Sequence, residues 1–461
     1  MIERRLRMSR IAPPDATVYW LSRRTRNDVF LLYGFSDRGV PTSELRKSVV
    51  ERSARIPDLS VRLRPTPGDL DYPRWIPCEF QAEQFLEHPA TRWSEVLDTL
   101  AELLDTGVEA TVRPWRIHVF RGITEAPRRT DPDEPTTVVA LQISHALVDG
   151  KRSSAIARTL FAPGDGDRSD GQHETDAWSR WYSVTDATVG LLRYPFRVAQ
   201  TVVRGVGAFR AQRALAKATA AGSVPEPGPG FPPTILNRAE TPEVSGHLIR
   251  TIVLDTQALR VEGRTITVLV LTAVSMALAE YLDSRGESVD RLGAQVPVAV
   301  PLTSARNGYR STGVDLHIDE PDLSRRADRI AADLTARRTR AAHPLLGAQD
   351  RVTAVTPART LRNDIDRHIL DTPDSITGHT VVSSVDRGPA DLEFGGPVLF
   401  TGGFPAIGSV MRLTHGVYGL GDTVTVCVHA DPGVLPDLDG YVDMLRAALE
   451  RVRGIAPGGV G

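Results

Sequence analysis

In the run Thr136-Thr-Val-Val-Ala-Leu-Gln-Ile-Ser-His145-Ala-Leu-Val-Asp149-Gly150, a stretch of strand composition delivers an imidazole, a carboxylate four residues later and then a glycine: the pattern HxxxDG. An imidazole titrates near neutrality, so His145 is suited to take a proton from a hydroxyl or amine while that group attacks a carbonyl. Nucleophilic catalysis fits less well. Neighbouring side chains on a strand face opposite ways, which separates Ser144 from His145. No GxSxG elbow occurs, and neither Cys78 nor Cys427 has a local histidine signature. Asp149 could orient His145 or turn into the protein to fix the loop. A buried carboxylate needs a cation, and Pro301-Leu-Thr-Ser-Ala-Arg306 supplies one just past a strand-like stretch. An arginine there can meet Asp149 bidentately, and Gly150 permits backbone geometry that a larger residue resists.

The elements that must position these groups read as mixed α+β. Val138, Val139 and Ile143 are β-branched in a run free of Gly and Pro, which predicts a buried strand over Thr136 to Ser144. Upstream, strands are expected at Val29 to Phe35, Ser60 to Leu63 and Arg116 to Phe120, with helices at Ser43 to Arg55 and Trp93 to Leu104. Downstream, strands are expected at Leu248 to Leu254, Ala294 to Pro301, His379 to Val385 and Thr423 to His429, with helices at Val268 to Arg285, Asp322 to Arg340 and Pro436 to Val452. Between these regions lie an Asp- and Gly-rich loop at Ala162 to Glu174, a helical stretch at Ala187 to Ala221 and the breaker AGSVPEPGPGFPP ending at Pro233. The loop only partly matches calcium-loop spacing and reads as a linker. The expected organisation is a first unit at 1–165 carrying the motif, a basic helical crossover and linker at 166–233, and a second unit at 234–461. Their similar texture suggests a pseudo-dimer with a cleft between halves.

Composition narrows the function. The 461 residues exceed one ordinary core. A net charge of -2 argues against nucleic acid as the main partner. The two cysteines lie far apart, without metal-site clustering, so a reducing cytosol is the expected compartment. No apolar run has the length of a signal or a membrane span, so neither is expected.

Across most of its length the chain resembles the bacterial wax ester synthase/diacylglycerol acyltransferase family, within the superfamily of CoA-dependent acyltransferases that includes chloramphenicol acetyltransferase and peptide-synthetase condensation domains. The matching stretches in the first half are Ile56-Pro-Asp-Leu-Ser-Val-Arg-Leu-Arg64, Pro73-Arg-Trp75 with Phe80 following, Arg113-Pro-Trp115 and SHALVDG. In the second half they are Ile235-Leu-Asn237, Val296 to Arg306, Val381 to Pro389 and Leu435-Pro-Asp437. The resemblance implies two chloramphenicol-acetyltransferase-like subdomains around a central active-site tunnel that acyl-CoA and alcohol enter from opposite faces. It implies His145 as general base toward a diacylglycerol or fatty-alcohol hydroxyl, Asp149 as mainly structural, and Arg306 as the ion-pair partner of Asp149. Acyl-CoA is then a co-substrate, and no cofactor or metal is expected. The chain departs from the family at three places: Ser144 stands where the family doubles the histidine, Thr267-Val268 where an Asn-Asp pair is expected, and Ser383-Ser384 where Ser-Asn is expected. These departures leave open a relative that binds acyl chains or a partner protein without catalysis, or transfer to another hydroxyl or an amine.

Other candidates have plainer readings. His415 and His429 are expected to be satisfied histidines at strand ends, and Trp75, Trp93 and Trp115 to be core. The stretch 187–221 carries Arg193, Arg197, Arg204, Arg210, Arg213 and Lys217 and no acid. It reads as a solvated crossover or as a basic amphipathic helix in peripheral contact with a membrane or lipid droplet, in a cytoplasmic protein on the inner face of the membrane.

Overall fold

The structure, a computed structural model, describes residues 9–129, 134–164, 179–238, 243–300, 305–368 and 373–458, and the side chains of 179–193 and 368 lie outside that description. Most of the Asp/Gly loop at 162–174 and residues 301–304 also lie outside it. In chain order the first part runs α1 (Pro13–Ser22), β1 (Val29–Ser36), α2 (Thr42–Arg55), β2 (Val61–Arg64), β3 (Arg74–Pro77), β4 (Phe85–His88), α3 (Trp93–Leu104), β5 (Trp115–Ile123), β6 (Thr136–Ile143) and α4 (Gly150–Leu160). The long helix α5 (Ser179–Ala220) follows. The second part runs β7 (Leu248–Asp255), α6 (Ile266–Ser284), β8 (Gly293–Ala299), β9 (Tyr309–Asp315), α7 (Leu323–Ala341), α8 (Gly347–Thr353), α9 (Ala358–His368), β10 (Thr380–Asp386), β11 (Val398–Gly403), β12 (Leu413–Leu420), β13 (Thr423–Ala430) and α10 (Leu438–Arg453).

Two mixed sheets organise these elements. The first has the order β11-β1-β6-β5-β4 and the second β7-β13-β12-β10-β8-β9. Strand β6 is buried along its whole length and is flanked by antiparallel partners on both sides, as its β-branched, uninterrupted sequence predicts. Helix α6 is apolar nearly all round and is 72% buried within the second half, against α7 and α10, which accounts for its span-like hydropathy without a bilayer.

The halves are not separate in sequence. Strand β11, well past residue 233, pairs with β1 and completes the first sheet. Phe400 on that strand packs with Phe30, Leu32, Ile249, Tyr418 and Cys427 in a cluster that joins the two sheets.

Candidate active site

The HxxxDG segment is the turn from β6 into α4. Pro114, within the Arg113-Pro-Trp115 stretch, accepts a hydrogen bond from the Ser144 amide at 2.7 Å, and Ser144 in turn accepts one from the Leu147 amide at 2.9 Å. The three residues between the histidine and the aspartate, Ala146, Leu147 and Val148, are fully buried in the first core. The turn is thus anchored by its apolar middle, which leaves the two polar ends to face other partners. Ser144 is also buried, and its hydroxyl has no hydrogen-bond partner among the described residues. It therefore does not share the half-open setting of His145.

Asp149 caps α4. One carboxylate oxygen accepts from the Arg152 amide at 2.8 Å, the standard use of Asp at a helix start. The other accepts from the Gly308 amide at 3.1 Å, across from the second half. With both oxygens engaged by backbone N–H groups, Asp149 is not the partner of Arg306. The Arg306 guanidinium pairs with Asp58, in the single helical turn that follows α2, and lies over the Trp75 ring at 4.7 Å. Asp58 also receives Arg152 in a fork, at 2.8 and 2.9 Å. Burial pushes the Asp58 carboxyl up, but the hydrogen bonds of Arg152 and the charge of Arg306 outweigh it and hold the group below its ordinary value. The expected Asp149–Arg306 pair is corrected accordingly: the charge requirement is met one carboxylate away.

Gly150 also differs from expectation. It occupies the first helical position with no left-handed torsion, and a β-carbon there would meet Val385 of β10 at 3.3 Å. Its requirement is space between the halves, not unusual backbone geometry.

Two residues that the sequence did not single out complete the arrangement. Asp15, buried in the first turn of α1, accepts from the Arg306 amide at 2.8 Å, from the Asn307 amide at 2.9 Å and from the Asn307 side chain at 3.0 Å. Asn307 also donates its side-chain N–H to the backbone carbonyl of His145 at 2.9 Å. Residues 306–308 therefore form a clasp held by Asp15 on one side and gripping the HxxxDG turn at His145 and Asp149 on the other. Burial pushes the Asp15 carboxyl up, opposed by those same hydrogen bonds. An Asn-Gly in a loop reads as a turn and gives little sequence signal for such a role. Only the Asp after two prolines hinted at a helix start.

His145 is half-buried. Among the described residues neither ring nitrogen has a hydrogen-bond partner, and Nδ1 is buried, so Nε2 is the ring nitrogen open to an incoming group. In the neutral tautomer protonated at Nδ1, that nitrogen is an acceptor. The Tyr309 ring lies 6.0 Å away, centroid to centroid.

Several stretches quoted for the resemblance converge on this turn: Asp58, Trp75, Pro114, Arg306 and Val385 all touch it or its clasp. Thr267 donates to the Ser384 hydroxyl at 2.9 Å, so the positions expected to carry Asn-Asp and Ser-Asn do meet, as a pair of hydroxyls. His415 bonds Thr380 and Tyr441, and His429 bonds His247 and the Pro405 carbonyl, both as satisfied buried groups. Trp75 and Trp115 are core, whereas Trp93 is half-buried against Phe400. Two described cavities, of about 410 Å³ by Trp93 and Thr251 and about 270 Å³ by Trp20 and Arg362, are not lined by His145.

Among known proteins, no family model matches the chain and no curated protein matches its sequence. Solved structures do match over nearly the whole length. The wax ester synthase/diacylglycerol acyltransferase from Marinobacter aquaeolei VT8 is similar at TM-score 0.61 and 18% identity, covering 96% of this chain and 98% of that one. The first condensation domain of the CDA synthetase is similar at TM-score 0.57 and 14% identity, covering 98% and 97%. A variant starter condensation domain of rhizomide synthetase in complex with C8-CoA is similar at TM-score 0.56 and 13% identity, covering 97% of each chain. The chain thus has the chloramphenicol-acetyltransferase-like fold that these proteins share.

Proposed function

We propose that the protein is an acyltransferase that takes a long-chain acyl group from acyl-CoA and passes it to a lipophilic alcohol, diacylglycerol or a fatty alcohol, giving triacylglycerol or wax ester. The observation that carries this reading is the grip of consecutive residues Asn307 and Gly308 on the two ends of the HxxxDG turn, which leaves His145 Nε2 free to act. In the reaction, Nε2 accepts the hydroxyl proton as the alcohol oxygen bonds to the thioester carbonyl carbon. The tetrahedral intermediate then collapses, the C–S bond breaks, and the thiolate of CoA takes the proton back from the imidazolium. Asp149 acts only through the backbone, as cap and clasp. Support for acyl-CoA as donor comes from the fold, one of whose holders is solved with C8-CoA.

The test is release of free CoA thiol from long-chain acyl-CoA with a panel of alcohols. Diacylglycerol or fatty alcohol should give turnover that His145→Ala lowers by about 10² to 10⁴. Failure of every lipid alcohol would end the lipid assignment. A second reading is transfer to a different hydroxyl or to an amine. The Thr267–Ser384 hydroxyl pair favours it, since it stands where the resembled family has Asn and Asp. Amines and polar alcohols in the same panel separate the two.

A further inference from the structure

Helix α5 spans 42 residues, about 60 Å of rise. One side of it is fastened to the body. Arg197 bridges Asp71 at 3.1 Å and covers the Tyr72 ring, Thr201 donates to the Val355 carbonyl, Leu215 is buried, and Thr219 accepts from Arg340. At 3.6 residues per turn these four lie on one face. The opposite face carries Phe196, Val202, Val203, Val206 and Phe209, exposed at 64%, 62%, 71%, 48% and 53%. Arg210, Arg213 and Lys217 continue that same face toward the C-terminus and are exposed, and no acidic residue occurs between 187 and 220.

Water does not call for five large apolar side chains in a row on the unfastened face of a helix. Nor does a solvated crossover call for an acid-free run of cations. Together they fit a surface that is apolar below and anionic at its edge, which is a phospholipid headgroup layer. We infer that helix α5 is a docking face that seats the protein on an anionic lipid surface, with Phe196, Val203, Val206 and Phe209 entering the acyl boundary and Arg210, Arg213 and Lys217 meeting the headgroups. Charge complementarity selects lipid over a second copy of this chain, since two such cationic faces repel each other. The fastened side of α5 packs on α8, whose Asp350 pairs with Arg310, next to Tyr309 and the His145 ring. Docking would keep a source of lipophilic acceptor against the protein that acylates it. The value of the docking, though not its existence, rests on the acyltransferase reading.

The experiment is co-sedimentation of the full-length protein, without substrate, with vesicles of phosphatidylcholine alone and of phosphatidylcholine mixed with phosphatidylglycerol. Binding is expected only to the mixed vesicles and should be released by high salt. Each headgroup cation contributes roughly fivefold, so R210Q/R213Q/K217Q should bind about a hundredfold more weakly. F196S/V203S/V206S/F209S should lose the vesicles while keeping the wild-type circular dichroism. Acyl transfer to a short soluble alcohol should be unchanged in both variants, because neither touches the clasp. Equal binding to both vesicle types, wild-type binding by either variant, or no vesicle binding with concentration-dependent self-association would overturn the inference. Because binding is read without turnover, failure to dock and failure to catalyse are separate results.

Discussion

Arg306 meets Asp58, and this changes which residues share an energy. Removing Asp58 strands two guanidinium groups, Arg306 and the partly solvated Arg152. Asp58→Ala should cost about 3 kcal/mol, the low end for breaking a buried pair, because Arg152 keeps contact with water. In urea-denaturation double-mutant cycles, Asp58 and Arg306 should couple by more than about 1 kcal/mol, whereas Asp149 and Arg306 should couple by much less. Equal coupling in the two cycles would place the charge on Asp149 after all. Asn307 is a positioning residue: Asn307→Ala should lower kcat with little change in KM, since it frees the His145 carbonyl without touching substrate. A change confined to KM would contradict that role. His145, Asp149 and Gly150 were legible in the sequence because they lie within six residues of one another. Asp58, Asp15 and Asn307 were not, because each acts across a long sequence separation that no local pattern records.

At the level of elements, the turn depends on how closely the second half approaches it. A β-carbon on Gly308 would meet the Val300 carbonyl oxygen at 3.0 Å and lie 3.8 Å from an Asp149 carboxylate oxygen. Gly308→Val should therefore loosen the clasp, lowering Tm and activity together; unchanged activity would show that the clasp does not position His145. The strands that the sequence made plain were apolar runs such as Thr136–Ile143 and Thr423–Ala430, buried at every position. Those it concealed have reasons. Tyr309–Asp315 is a half-exposed edge strand of mainly polar residues, while Val398–Gly403 and Leu413–Leu420 carry glycines where backbones or rings crowd in, as at Gly403 and Gly416. Helices Gly347–Thr353 and Ala358–His368 are short and mostly polar, and the second has only Ala358, Leu361 and Ile365 on its apolar face, too little to stand out in the sequence.

On the scale of the whole molecule, an exchanged strand ties the two halves, and buried imidazoles within each half bear on stability. Burial pushes His118, His415 and His429 down to about 3. In the unfolded chain these groups bind protons below about pH 6.5, so between that pH and about 3 the unfolded state binds more protons and stability falls as pH falls. Each contributes up to about 1.4 kcal/mol per pH unit, roughly 4 kcal/mol per unit for the three. Asp28, pushed by burial up to about 6, and Asp15, also pushed up by burial, act in the opposite sense but are two groups against three. Tm should therefore drop steeply from pH 7 to pH 5, and a flat profile there would show that these histidines are not buried and neutral. The proposed function turns on one chemical role, that of His145 as acceptor of the hydroxyl proton. The most direct measurement is single-turnover release of CoA from acyl-CoA with a lipid alcohol, wild type against His145→Ala, both checked for the same Tm. A loss of at least about a hundredfold with Tm retained is expected, and wild-type turnover by the variant would rule out His145 as the base.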